Sequence, residues 1–71
     1  MHTTSSHDLA IELETLVSPH ILRCVRQTPI SITFEAKSSE DAHTCSVLLN
    51  NHDPQLVDVA GSWYVIASLS Y

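Results

Sequence analysis

Within residues 28–37, TPISITFEAK, the chain alternates between apolar and polar from Ile30 to Lys37. Ile30, Ile32, Phe34 and Ala36 fall on one side of an extended chain, and Ser31, Thr33, Glu35 and Lys37 on the other. Strand side chains point to opposite faces with period two, so the stretch predicts a strand with one buried and one wet face. A lone strand is not stable, so the rest of the chain must supply neighbours and a cover. The clearest cover is a helix over residues 6–17, where Leu9, Leu13, Leu16 and Val17 form one apolar stripe and Glu12 and Thr15 lie away from it. Ser5, followed three residues on by Asp8, has the form of a capping box that opens this helix. Residues 1–5 are expected to fray.

Ser18-Pro19 ends the helix, because proline cannot donate to the preceding turn and moves the residue before it out of the helical region. Residues 20–26 then form either a second short helix capped by Ser18, with Val17 stapled to Leu22, or a strand. As a strand, Ile21 and Val25 share one face and Leu22 and Cys24 the other. The strand is favoured, since the strand at 28–37 otherwise lacks a hairpin partner. Residues 42–50 are equally two-sided. A helix capped by Ser39 would carry Ala42, Cys45, Leu48 and Leu49 as its stripe; a strand would turn Cys45, Val47 and Leu49 inward. Thr, Cys, Ser and Val are mediocre helix formers, which favours the strand. Asn50-Asn51-His52-Asp53-Pro54 is a turn. Leu56, Val57 and Val59 follow as a short extended piece, and Ala60-Gly61-Ser62 holds a bend or bulge. In residues 63–71, Trp63, Val65, Ala67 and Leu69 share one face and Tyr64, Ile66, Ser68 and Ser70 the other. The second face is partly apolar, which suits a central strand or one at a subunit interface.

The expected fold is therefore α+β: one N-terminal amphipathic helix packed on an antiparallel sheet of roughly three to five strands. A meander is the simplest topology, with the strand at 28–37 flanked by 20–26 and 43–50. The chain of 71 residues makes one small domain, 1–71. Such a domain buries only about 60% of its unfolded surface, so a disulfide, a metal or a partner would help it. An apolar fraction of 44% argues against disorder, while only 15% of residues are charged. A weakly charged surface on a strand-rich domain favours association.

Eight acids against three bases give a net charge of −5. Arg23, Arg26 and Lys37 are too few to neutralise a phosphate backbone or to dock on an anionic membrane, so neither nucleic acid nor membrane is an expected partner. No apolar run follows a basic N-terminal segment and none is long enough to span a bilayer, so neither a leader nor a membrane span is expected. With two cysteines, the chain does not have the form of a secreted disulfide scaffold, and a cytoplasmic location with reduced thiols is the expectation.

Four residues have metal-ligating chemistry: His20, Cys24, His43 and Cys45. Zinc takes four N/S ligands, and a small domain gains folding energy from such a site. The pattern H-x3-C, then H-x-C, departs from the usual C-x2-C opening. A helix at 20–24 would bring the first pair onto one face, whereas a strand separates them by about 13 Å. Buried cysteines and surface histidines are the competing account. A Cys24–Cys45 disulfide needs adjacent strands and an oxidising compartment. A thiol enzyme built on either Cys–His pair lacks an orienting group and an oxyanion loop. The single glycine leaves no phosphate cradle, and Glu12 and Glu14, two apart on a helix, do not face one another. Trp63, Tyr64 and Ile66 are the candidate interface residues, because exposed aromatic rings are enriched at interfaces. The expected role is a small, non-catalytic protein-interaction or regulatory domain, associating with a protein or with itself as a homodimer through the C-terminal strand. A zinc-binding mini-domain and a thiol-dependent enzyme or enzyme subunit are the alternatives.

Overall fold

The computed structural model describes residues 6–69. Along them run α1 (Ser6–Val17), a 3-10 turn (Ser18–His20), β1 (Ile21–Gln27), β2 (Ser31–Ala36), α2 (Ser39–Leu48), a second 3-10 turn (Asn50–His52), β3 (Gln55–Val59) and β4 (Ser62–Ser68). The four strands form one antiparallel sheet in the order β1-β2-β4-β3. The class is α+β, with an open sheet roofed by two helices rather than one. Each half of the described chain is a helix followed by a hairpin, and exchanging the halves leaves the strand order unchanged.

The helix expected at 6–17 is α1. Its buried arc is Leu9, Ala10, Leu13 and Val17, and Leu16 is exposed. At 100° per residue Leu16 lies at the rim of the arc centred on Leu13 and Val17, whereas the small Ala10 lies inside it and lets the helix approach the sheet. The expected cap at Ser5 and the frayed segment 1–5 lie outside the described residues. After Pro19 the chain enters β1, the favoured alternative, but period two does not hold there. The pairing with β2 shifts between Ile21 and Arg23 and again between Cys24 and Arg26. Ile21 and Cys24 consequently share the inner side, Leu22 and Val25 are displaced to solvent, and Arg23 and Arg26 share the outer side.

In β2, Ile32, Phe34 and Ala36 are buried as the alternation requires. Ile30 is not. It belongs to the tight connection from β1, where the Thr28 hydroxyl accepts from the backbone N–H groups of Ile30 and Ser31 at 3.3 and 3.0 Å and leaves the Ile30 side chain exposed.

The favoured strand over 42–50 is overturned: this segment is α2. Ser38 is its N-cap, in extended conformation, and its hydroxyl accepts from the Asp41 N–H at 3.2 Å. Glu40 and Asp41 occupy the positive first turn, and Ala42, Cys45 and Leu49 bury one stripe while Leu48 stays partly exposed. Capping and burial together outweigh the poor propensities of Thr, Cys, Ser and Val. The meander is overturned with it. Since residues 43–48 are helical, β2 takes β4 as its second neighbour, in the register Phe34↔Val65. The core then lies between the helices and the inner side of the sheet: Val17, Phe34, Cys45, Leu49, Val65 and Leu69 are fully buried, with Leu56 and Trp63 packed against them.

The bend expected at residues 60–62 is a two-residue hairpin loop. Val59 pairs with Ser62, and both intervening residues have positive φ, +52° at Ala60 and +85° at Gly61. Those signs belong to a type I′ turn, whose twist matches that of the flanking strands.

Candidate functional site

The side of the sheet away from the helices is uncovered by any described element, and the strand registers place its residues in two cross-strand rows. One row runs Arg26, Thr33, Ile66, Gln55; the other runs Arg23, Glu35, Tyr64, Val57. In the second row Arg23 Nε donates to Glu35 Oε1 at 3.0 Å. Tyr64 and Ile66 are half-buried among these neighbours, whereas Val57 and Val59 on β3 are exposed. Two of the three candidate interface residues, Tyr64 and Ile66, thus stand on the open face. Trp63 points the other way and packs against the core. Among the described residues the C-terminal strand is central, with β2 on one side and β3 on the other. Ser70 and Tyr71 lie outside the described residues.

Ile30, Ser31 and Ile66 separate two shallow depressions at one end of this face. The larger, about 550 Å³, is walled by Arg26, Thr28, Pro29 and Thr33; the smaller, about 210 Å³, by Asp53, Gln55 and Ser68. Both are open to solvent. The hydroxyls of Thr28 and Ser31 lie 2.9 Å apart and bond to one another, so these two groups on the rim of the larger dish are already satisfied.

The sheet has two outer edges, and they differ. The β1 edge is broken by its two register shifts, a device that keeps other strands from pairing. The β3 edge is regular through all five of its pairs with β4, and no described strand lies beyond it. Residues 38–71 contain neither Lys nor Arg, so the acids Asp53 and Asp58 flank this edge without a compensating cation. Neither carboxylate makes an ion pair or a side-chain hydrogen bond among the described residues.

The four candidate metal ligands are dispersed. His20, half-buried in the first 3-10 turn, donates from Nδ1 to Asp41 Oδ1 at 3.0 Å, and its carbonyl accepts from the Lys37 N–H at 3.2 Å. Cys24 lies on the inner side of β1. His43 is exposed on α2, with its ring 6.4 Å from that of Trp63. Cys45 is buried on the opposite side of the same helix: a spacing of two shares a strand face but separates residues by about 200° on a helix. Among the described residues no three His, Cys, Asp or Glu side chains form a group that could hold a metal ion. Both thiols are free. Burial pushes the Cys45 thiol up to about 11, with the Asp41 charge adding, and burial followed by the Glu14 charge raises that of Cys24. These surroundings disfavour the thiolate that nucleophilic or ligand chemistry needs. The hydrogen bond from His20 holds the Asp41 carboxyl below the usual range against a small loss of hydration, and the Ser38 hydroxyl adds to the effect. The His20–Asp41 pair thus ties the start of β1 to the start of α2.

Sequence reasoning did not single out the β3 edge. Its signal was present in the Val57-Asp58-Val59 alternation and in the confinement of every Lys and Arg to residues 23–37. No described helix is long and apolar enough to cross a membrane. In comparisons with known proteins, no family model, no curated protein and no solved structure matches the chain.

Proposed function

We propose that this domain is a non-catalytic protein-interaction module that presents the open side of its sheet, with the adjoining β3 edge, to a protein partner. One observation carries the reading: half-buried Tyr64 and Ile66 and exposed Val57 and Val59 stand together on a sheet face that no described element covers. Aromatic and apolar side chains in such a cluster, with polar neighbours around them, have the character of an interface core and rim. The acidic, cation-poor surface keeps nucleic acid and anionic membrane as disfavoured partners.

Chemical crosslinking of the tagged chain in lysate, followed by sedimentation of the recovered material at micromolar concentration, tests the reading. The wild-type chain should be recovered in a defined stoichiometric complex, with another protein or with itself, and Ile66→Glu should abolish it while leaving the circular dichroism unchanged. A wild-type chain that stays monomeric and crosslinks to nothing, or an Ile66→Glu complex as abundant as the wild-type one, would overturn it.

A further inference from the structure

We infer that the partner docks by adding an extended strand to the β3 edge, and that this strand carries a basic residue between two apolar ones. The inference rests on the interaction-module reading and names its partner. Of the two outer edges only β3 is regular, and an edge strand leaves a row of backbone N–H and C=O groups that a further strand can satisfy. Side chains then decide what fits. Val57 and Val59 point to the open face and are exposed, and Asp58, between them, points to the opposite side and is also exposed. An added strand places its residues beside these at the same alternation. Apolar side chains two apart would cover the valines, and a Lys or Arg between them would stand next to Asp58.

A second copy of the chain meets this surface less well. The alignment that stacks the valines of two copies also sets Asp58 directly opposite Asp58 of the other copy, and like charges opposed across a ladder are destabilising. Each copy brings a charge of −5 as well. A basic strand finds the opposite: Asp58 and Asp53 unpaired among the described residues, and no Lys or Arg anywhere from residue 38 onward.

The full chain, labelled with ¹⁵N, is titrated with the peptide acetyl-Thr-Val-Lys-Val-Thr-amide, with its Val-Glu-Val counterpart, and with a form of the first methylated on alternate backbone nitrogens. The basic peptide should shift the amide signals of β3 and slow their exchange. The acidic peptide and the methylated one should fail to do so, and Asp58→Asn should weaken binding by about fivefold at low salt, an effect that shrinks as salt is added. Shifts confined to Tyr64, Ile66 and their β2 neighbours Glu35 and Thr33 would overturn edge docking while leaving the interaction module standing. No shift with the basic peptide would also overturn it, and dimerisation of Asp58→Asn in sedimentation would then show that Asp58 serves to hold copies apart. The complex recovered from lysate decides the module reading independently of either result.

Discussion

The β3–β4 loop offers a sharp quantitative test of the fold. Ala60 has φ +52° and Gly61 has φ +85°. The left-handed region costs an ordinary L-residue about 1 kcal/mol, because its Cβ approaches a backbone oxygen; glycine pays nothing, and asparagine is tolerated there. The loop therefore stores strain at Ala60 and none at Gly61. Asn-Gly is the favoured pair for this turn type, so Ala60→Asn should stabilise the domain by about 1 kcal/mol. For a domain of this size that corresponds to a rise of about 7 °C in Tm. Gly61→Ala is the converse: an added Cβ would meet nothing within 4 Å, so the backbone alone sets the effect, a loss of about 1 kcal/mol. Thermal unfolding followed by far-ultraviolet circular dichroism reads both variants. A fall in Tm for Ala60→Asn, or no change for Gly61→Ala, would refute the left-handed turn and with it the Val59↔Ser62 register.

Phe34 is fully buried on a central strand, and Phe34→Ala should cost about 3–5 kcal/mol. That is most of the roughly 5 kcal/mol available to a chain of this size, so urea titration should find the variant largely unfolded in buffer; an unchanged midpoint would contradict the core assignment. Ellman's reagent near neutral pH should modify Cys24 slowly and reach Cys45 only after unfolding, and rapid labelling of both in the native protein would reopen the thiol-enzyme alternative. A carboxyl held low in the folded state stabilises it at neutral pH and loses that contribution as the pH falls below the ordinary value of 3.8. The gap in urea midpoint between the wild type and Asp41→Asn should therefore close below about pH 3.8; a gap that persists unchanged in acid would show that the His20–Asp41 pair plays no part in it.

The alternation of Ile32, Phe34 and Ala36 and the spacing of Leu9, Leu13 and Val17 were legible because each runs over enough residues for one period to dominate. The residues that resisted are short or interrupted. In β1, two bulges convert period two into an outward pair, Arg23 and Arg26, and residue types alone do not announce a bulge. In α2, propensity argued for a strand, and a cap at Ser39 with an acidic first turn argued for a helix; the structure caps the helix one residue earlier, at Ser38. The outcome depended on whether Ala42, Cys45 and Leu49 found a sheet to cover, a tertiary question. The misassigned helix propagated into topology, because a strand at 43–50 would have occupied the place that β4 takes beside β2. It also propagated into the metal site, since His43 and Cys45 share a side only when extended. The proposed interaction surface was half visible for a related reason. Tyr64 and Ile66 follow from alternation in one strand, but the edge formed by Val57, Asp58 and Val59 depends on which strand ends up outermost.

Native-state deuterium exchange of the full chain, read amide by amide, bears most directly on that edge. With β2 and β4 central, their amides should exchange only through global unfolding, and the β3 amides not bonded to β4 should exchange much faster at the same pH. β3 amides uniformly as slow as those of β4 in the free protein would mean that the edge is already covered, and would contradict the claim that β3 is open to receive a partner's strand.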